Sequence, residues 1–233
     1  MPNLGSLMLE SDGMECDRQN NTCKASGNVV VMKGNFNLKS QILITKLRKN
    51  KLGKQEIWQV EAIGNVKFKG SADEIASAPY ALYNIDDDKL ILKASENGEP
   101  IFPHNKHLYP TLQKGQHFVR AKEISIYFIK SSTNATALKY VEAKGDVILS
   151  TPLDLAHGDF ATYDPTTRLA KLTGNVVIAR DSGQISGTYA EVNLDTGTSK
   201  MLSVAPGIKG LKKRVQVLLK PTPSDHATHP LAK

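Results

Sequence analysis

The acidic cluster Asp86 to Asp88 could supply paired carboxylates, which are the catalytic groups of many enzymes that hydrolyse glycans. Consecutive residues of a strand point to opposite faces, however, and this cluster has the composition of a turn. Nucleophilic catalysis has no candidate either, because the sequence contains neither a GxSxG element nor a neighbouring Cys/His pair. We therefore predict that the protein has no catalytic residues and is not an enzyme.

Four histidines are spaced as two pairs, His104 with His107 and His226 with His229. Both pairs lie in polar stretches that contain proline, and neither has a cysteine pair or a carboxylate at metal-binding spacing. We read these histidines as solvent-facing. The sequence predicts no metal site and no cofactor.

The two cysteines, Cys16 and Cys23, flank the polar run DRQNNT, whose composition suits a turn. A hairpin centred between Gln19 and Asn20 would place the cysteines opposite each other on one face, within bridging distance. The alternative is two small buried thiols. A disulfide, which this spacing favours, would indicate an oxidising compartment.

The sequence is basic, with 30 Lys and Arg against 23 Asp and Glu and a formal net charge of +7. A basic surface attracts polyanions, of which lipopolysaccharide and nucleic acid are two. The basic runs lack the interleaved aromatic residues of a base-stacking surface, so we predict no nucleic-acid binding. Solvated loops are the simpler alternative. The two clusters are Lys46, Arg48, Lys49, Lys51 and Lys54, and Lys209, Lys212, Lys213 and Arg214.

A tripeptide of Gly, Asn or Asp, and Val occurs four times, at Gly27, Gly64, Gly145 and Gly174. Its valine and the residue two positions later are apolar in every copy, whereas the residues between them vary. A period of two with one apolar face indicates a strand with one side hidden from water. The Gly-Asn pair should mark a turn or bulge where the chain begins that strand. The apolar positions are Val29, Val31, Val66, Phe68, Val147, Leu149, Val176 and Ile178.

A second line recurs downstream of the tripeptides as EIASAPYALY, FVRAKEISIY, DLAHGDFATY and QISGTYAEVN. Aligned on one another, these lines place four apolar residues in one column and three tyrosines in another. Each repeat is therefore predicted to be about two strands long. The columns are Ile75, Val119, Leu155 and Ile185, and Tyr83, Tyr127 and Tyr163.

The chain is predicted to form one all-β domain over residues 1–221, followed by a disordered tail over residues 222–233. Its 17 glycines and 11 prolines separate short apolar runs, as in proteins with many brief strands. No stretch approaches the ~18 apolar residues of a membrane span. The first residues lack the pattern of a leader, and we expect that a natural leader was removed.

Stacked repeats would join the apolar positions into a continuous wall. If the two sides of the folded sheet close on each other, this wall is ordinary core, and if they separate, it lines a groove for a lipid. The wall consists mainly of Val, Leu and Ile, and such slender aliphatic residues suit acyl chains better than sugar rings. Periodicity alone leaves both alternatives open.

Three segments together resemble the OstA-like family of lipopolysaccharide-transport proteins, and within it the periplasmic bridge protein. They are LMLESDGMECDRQNNTCKASGNVVVMKG, LAHGDFATYDPTTRLAKLTGNVVIARDSGQISGTYAEVNLDTG and KKRVQVLLKP. The likeness extends from Leu7 to Pro221. The segment from Pro100 to Gln116, the basic run ITKLRKNKLGK and the two cysteines depart from the family pattern.

The resemblance implies an open antiparallel β-jellyroll of stacked repeats, folded into a V-shaped and slightly twisted trough. It implies a periplasmic carrier of lipopolysaccharide, which binds the lipid A acyl chains inside the trough and bridges inner-membrane and outer-membrane machinery. It also implies end-to-end strand pairing with further copies and with related jellyroll domains of those components, which the unpaired end strands of such a stack would permit. In this family the first strand faces the ligand, and here its apolar residues are Leu7 and Leu9. The alternatives are a structural β scaffold with a closed core and a carbohydrate-active β-solenoid.

Overall fold

The computed structural model describes residues 8–33, 36–70, 73–95, 109–130, 136–207 and 214–220. Within these ranges the chain forms one antiparallel sheet of sixteen strands and no helix. Among the same residues there is accordingly no apolar helix long enough to cross a membrane. The strands are β1 (Met8–Glu10), β2 (Gly13–Asp17), β3 (Thr22–Lys33), β4 (Phe36–Lys49), β5 (Gln55–Lys69), β6 (Glu74–Asn84), β7 (Lys89–Lys93), β8 (Thr111–Lys114), β9 (His117–Arg120), β10 (Glu123–Lys130), β11 (Thr136–Ser150), β12 (Leu155–Asp164), β13 (Leu169–Arg180), β14 (Gly183–Asn193), β15 (Ser199–Leu202) and β16 (Gln216–Leu219).

Four of the long strands carry a Gly-Asn or Gly-Asp pair in their interior. In β3, Gly27 and Asn28 have φ angles of 77° and 45° and together lie opposite the single residue Gln41 of β4. Two residues against one form a β-bulge, which bends the strand. The predicted bulges are confirmed, but they do not mark the start of a strand, because pairing continues on both sides of them. The other three lie at Gly64, Gly145 and Gly174.

The bulges of alternate strands lie in line with one another. Gly27 of β3 and Gly64 of β5 both border the middle of β4, and Gly145 of β11 and Gly174 of β13 both border Asp159 of β12. They form a line across the sheet, which we call the crease. The long strands bend at this line, so the sheet folds along it.

The crease divides the sheet into two leaves. The front leaf contains β1, β8, β9 and β16, the back leaf contains β2, β7, β10 and β15, and β3–β6 and β11–β14 run through both. Among the described strands, those at the two ends of the stack do not pair with each other, so the sheet stays open. The fold is an all-β open jellyroll bent into a V-shaped, slightly twisted trough, which confirms the predicted fold class.

The leaves bury one common core between them. On the back leaf, a cross-strand row beside the crease is apolar in all strands of that leaf. The row is unbroken, because each residue lies opposite the next one in the register. Small alanines alternate with larger residues along much of this row, which lets the facing leaf approach closely. The row is Met14, Ala25, Leu43, Ala62, Ala81, Leu92, Ile124, Ala143, Ala161, Leu172, Ala190 and Met201.

In the second repeated pattern, the residues that the sequence alignment placed in one column do not all lie on the same face of the sheet. Val119 and Ile185 point into the trough, but Ile75 lies opposite the outward Lys69, and Leu155 is likewise outward and exposed. Tyr127 is outward as well, unlike Tyr83 and Tyr163, which pack against the core. A shift of one residue in the register of a strand moves every side chain to the other face of the sheet. Aligning the repeats by sequence was therefore insufficient to assign the inward face.

The predicted disulfide is present. Cys16 of β2 and Cys23 of β3 lie directly opposite each other and are bonded, with their Cα atoms 4.0 Å apart. Asn21 adopts a positive φ of 51° in the intervening turn, as the polar composition of that turn predicted. The bridge fastens an edge strand to the body of the sheet.

Several predictions made from the sequence fall on residues outside the described ranges. These are Leu7, His104, His107, His226, His229, Lys209, Lys212, Lys213 and the tail over residues 222–233. The domain boundaries at residues 1–221 stay a prediction.

Candidate functional site

The inner face of the front leaf carries an unbroken row of apolar side chains, one from each strand of the leaf. Five of the residues predicted to bind lipid lie on it: Leu9, Val31, Phe68, Leu149 and Ile178. Because each lies opposite the next strand's member in the register, the row is continuous from one end of the trough to the other. The whole row is Leu9, Val31, Leu38, Phe68, Ala76, Leu112, Val119, Leu149, Ala156, Ile178, Ile185 and Val217.

The four valines of the tripeptides form the floor of the trough beside the crease. Val29, Val66, Val147 and Val176 have at most 1% of their surface exposed. Each lies opposite a small residue in the next strand, and those residues are Ser40, Ala78, Gly158 and Gly187. A large residue against a small one fills the space at the bend, so this part of the predicted site is close-packed.

The free ends of the leaves, opposite the crease, form the mouth of the trough, and here the packing loosens. Apolar side chains on the inner faces are partly exposed at the mouth: Phe36 at 40%, Ile57 at 39% and Leu138 at 36%. Phe36 packs against Phe68 of the predicted row, with ring centroids 6.1 Å apart. An apolar surface that is open to solvent on one side and continuous with a core on the other is suited to an apolar ligand.

Sequence reasoning missed these residues at the mouth. Ile57 and Leu138 each lie directly before the extra residue of a bulge, which is Trp58 in β5 and Lys139 in β11, so the period of two is interrupted there. On the back leaf, Tyr83 and Phe128 meet edge to face with centroids 6.3 Å apart. The uninterrupted alternation of Leu90 to Leu92 and Ile124 to Ile126 was the signal that could have identified this leaf.

Near the C-terminal end, one contact joins the two leaves across the mouth. Arg180 of the front leaf donates to Asp154 from Nε to Oδ1 at 2.6 Å and from Nη2 to Oδ2 at 2.8 Å. The same Nη2 donates to the backbone oxygen of Gly197 at 3.3 Å, in the turn between β14 and β15 of the back leaf. We call Asp154, Arg180 and Gly197 the clasp.

The clasp is partly buried. Only 2% of the Asp154 side chain is exposed, and its hydrogen bonds to Arg180 raise the pKa of the guanidinium above its ordinary value. The side chain of Leu153 covers Gly197, and a Cβ at that glycine would lie 2.8 Å from Leu153 Cδ1. The contact therefore closes the mouth at this end. At the N-terminal end, the described residues show no hydrogen bond or ion pair between the leaves' free ends.

The first basic cluster lies at the mouth of the back leaf, around the turn between β4 and β5. Arg48 binds Asp86 in a bidentate ion pair at 2.5 and 2.7 Å and also contacts Glu56 at 2.8 Å, which raises the pKa of Arg48. Lys49, Lys51 and Lys54 have no carboxylate partner among the described residues, and the latter two are exposed on the turn. These lysines leave a positive charge beside the open part of the mouth.

The acidic cluster Asp86 to Asp88 makes hydrogen bonds and an ion pair within the fold. It lies in the turn after β6, where Asp86 pairs with Arg48 and Asp87 accepts a hydrogen bond from Asn84 Nδ2 at 2.6 Å. Across the ranges that the structure describes, no three His, Cys, Asp or Glu side chains are placed to hold a metal ion. Among the described residues, the trough is therefore the main candidate site.

Both ends of the stack present strands with one unpaired edge among the described residues. At one end are β1 and the disulfide-bonded β2, and at the other are β15 and β16. The last strand is apolar and exposed, with Val217 at 61%, Leu218 at 66% and Leu219 at 73%. Such edges are templates for main-chain pairing with another sheet.

Comparison with known proteins gives a family and similar solved structures. The family model described as LptA/(LptD N-terminal domain) LPS transport protein matches residues 8–99 and 111–198, which include all four bulges. Among solved structures, the chain is similar to LptH, the LptA homologous periplasmic component of the conserved lipopolysaccharide transport device from Pseudomonas aeruginosa. That alignment has 12% identity and a TM-score of 0.26 and covers 93% of this chain and 96% of LptH. A comparison with curated proteins found no match.

Proposed function

Because the chain belongs to the family of LptA/(LptD N-terminal domain) lipopolysaccharide transport proteins, we propose that it is a non-enzymatic periplasmic carrier of lipopolysaccharide. It holds the lipid A acyl chains in the apolar trough and passes them from inner-membrane to outer-membrane machinery. The observation that carries this proposal is the unbroken apolar row of the front leaf, which runs through every strand of that leaf and borders an open mouth.

The trough offers two levels of apolar surface, and the proposal gives them different roles. The acyl chains contact the row that contains Leu9, Val31, Phe68, Leu149 and Ile178, together with the side chains at the mouth. The valines Val29, Val66, Val147 and Val176 form the floor beneath that row and meet the chains only when the leaves separate. Leu7 precedes Leu9 by two residues in the sequence and is proposed as a further contact with the acyl chains.

Three further features support the proposal. The disulfide between Cys16 and Cys23 is typical of an oxidising compartment such as the periplasm. The exposed lysines at the turn between β4 and β5 put positive charge beside the mouth, where the phosphates of a bound lipopolysaccharide would lie. The unpaired edges support end-to-end pairing with further copies and with related jellyroll domains, since that contact does not close on itself.

Site-specific photocrosslinking tests acyl-chain binding. A photoreactive residue replaces Leu9 or Phe68, both half-buried on the inner row, or Lys67, the outward neighbour of Phe68 that serves as the matched control. The protein is mixed with lipopolysaccharide and irradiated. We expect adducts from the two inner positions and little from Lys67, and equal labelling at all three would overturn the proposal.

A further inference from the structure

The outer face of the back leaf contains a cavity of about 720 Å³, on the opposite side of the sheet from the trough. Its walls come from β10 to β13 and the turn between β12 and β13. Tyr140 and Thr162 line it, whereas their neighbours Val141 and Tyr163 point into the trough. The two sites are therefore separated by the thickness of one sheet.

An aromatic pair forms one wall of this cavity. The rings of Tyr127 and Tyr140 lie with centroids 5.2 Å apart and an interplanar angle of 38°. Both phenols donate to Glu142, Tyr140 at 2.6 Å and Tyr127 at 3.3 Å, and the ammonium of Lys89 lies 4.8 Å from the centre of the Tyr127 ring. Of the three ring pairs among the described residues, the other two lie inside the trough. The tyrosines are thus held in fixed orientations on an outer surface.

Two cations in the cavity are free to bind a ligand. Lys139 and Lys171 both line it and are exposed, and neither is paired with a carboxylate in the part of the chain that the structure describes. The one acid in the wall, Asp164, accepts a hydrogen bond from the backbone of Thr166 at 2.8 Å, and such bonds hold its pKa below the ordinary value. The cavity consequently combines a net positive charge with aromatic surface.

We propose that this cavity binds an acidic saccharide, a sugar that carries phosphate or carboxylate groups. Tyrosine rings pack against the apolar faces of sugar rings, the lysines pair with the anionic groups, and the hydroxyls of Thr162 and Thr167 exchange hydrogen bonds with sugar hydroxyls. The trough has a different character, because its two inner rows are apolar throughout and contain no charged residue. The two faces of one leaf therefore suit the two halves of an amphiphilic glycolipid.

The source of the saccharide rests on the proposed function, since the sugar portion of a bound lipopolysaccharide is the ligand that the trough would bring here. Thr167 lies in the turn between β12 and β13, at the mouth of the back leaf. A sugar attached to acyl chains in the trough leaves through the mouth and passes over this turn to reach Tyr140. The cavity would hold the polar part of the cargo against the outside of the same leaf.

Binding of fully deacylated lipopolysaccharide, a phosphorylated oligosaccharide without acyl chains, tests the proposal by calorimetry. The test variant carries Lys139→Glu and Lys171→Glu. The matched control carries Lys39→Glu and Lys67→Glu, the same change of charge at exposed lysines on the outer face of the front leaf. We expect the test variant to bind the oligosaccharide about tenfold more weakly than wild type and the control to bind within about twofold.

Tyr140→Leu removes one of the two rings of the aromatic wall and keeps both lysines, so it should also weaken binding, and circular dichroism verifies the fold. No binding to wild type, or an equal loss in the two charge variants, would overturn the proposal, the latter because it shows diffuse electrostatic attraction only. A fluorescent fatty acid measures the trough independently. Loss of oligosaccharide binding with fatty-acid binding intact identifies the cavity, whereas a wild type that binds oligosaccharide but no fatty acid contradicts the proposed carrier and not the saccharide site.

Discussion

A Cβ at Gly174 would fall on the side chain of Asp159, whose carboxylate accepts a hydrogen bond from Asn175 at 2.8 Å. Gly27 stands in the same relation to Asp12 and Asn28, so the crease repeats one local arrangement in its first and last copies. Glycine is required there for two reasons. It tolerates the positive φ, and it leaves room for the neighbouring side chain.

We expect Gly174→Ala to lower the free energy of unfolding by about 3 kcal/mol, because backbone strain and displacement of Asp159 add together. Gly53→Ala is the matched control, since Gly53 has a similar φ of 75° but nothing within 4 Å of the added atom. It should cost only about 1 kcal/mol. Urea unfolding measures both, and equal losses would show that the contact with Asp159 contributes nothing.

Tyr189 lies on the outer face of the back leaf, and the absorbance of its tyrosinate form provides a pH-dependent signal. Burial and the hydrogen bond that its phenol donates to Glu191 at 2.7 Å raise the pKa of Tyr189 to about 12. Since the phenol of an unfolded chain has a pKa near 10, its contribution to stability is complete below about pH 10 and is lost as the pH rises towards 12. The difference in tyrosinate absorbance between wild type and Tyr189→Phe should have its midpoint near pH 12. A midpoint near pH 10 would contradict this account.

At the scale of elements, the clasp joins turns that are remote in the sheet. Arg180→Ala leaves the buried carboxylate of Asp154 without its partner, so we expect a loss of about 2–3 kcal/mol in unfolding free energy. Arg168→Ala, which removes the exposed ion pair to Asp195 in the neighbouring turn, should cost less than about 1 kcal/mol.

The clasp variant should also widen the mouth at this end. Spin labels at the exposed residues Pro152 and Thr196, one in each of the two turns, would report a longer and broader distance distribution in Arg180→Ala than in Arg168→Ala. If the two variants have the same stability and the same distances, the contact is not a closure of the trough.

At the scale of the whole molecule, the apolar edge β16 predicts assembly. We expect light scattering to show a mean particle mass that rises above that of a dimer as the protein concentration increases. The reason is that a head-to-tail contact leaves one strand edge free at each end of the assembly. Deletion of residues 215–219 should abolish this growth. A full-length chain that stays monomeric at high concentration would exclude end-to-end pairing.

The sequence was sufficient to predict the features that depend on short-range periodicity. The inward face of Val29 and Val31 follows from alternation beside a recognisable bulge, and the pairing of Cys16 with Cys23 follows from the symmetry of one turn. Features that depend on the register between distant strands could not be predicted. Ile75 and Tyr127 were assigned to columns by sequence alignment alone, and both point outward. A strand that begins one residue later presents its other face.

The same limit applies to the two sites. The aliphatic rows of the trough were predictable as a set, because the repeated tripeptide marks four of their strands. The clasp and the outer cavity were not, since Asp154 and Arg180, or Tyr127 and Tyr140, meet only after the turns and bulges have placed them. No local pattern distinguishes these residues from ordinary polar or aromatic positions on a sheet.

The close-packed crease also bears on how the proposed carrier would hold a lipid. The backbone at the bend has positive φ angles and the four valines there are buried, whereas the side chains at the mouth are partly exposed. An acyl chain would not pass beneath the four valines, which have at most 1% of their surface exposed. Longer chains would instead extend lengthwise across successive strands, so the proposed capacity would be a length that grows with each added copy.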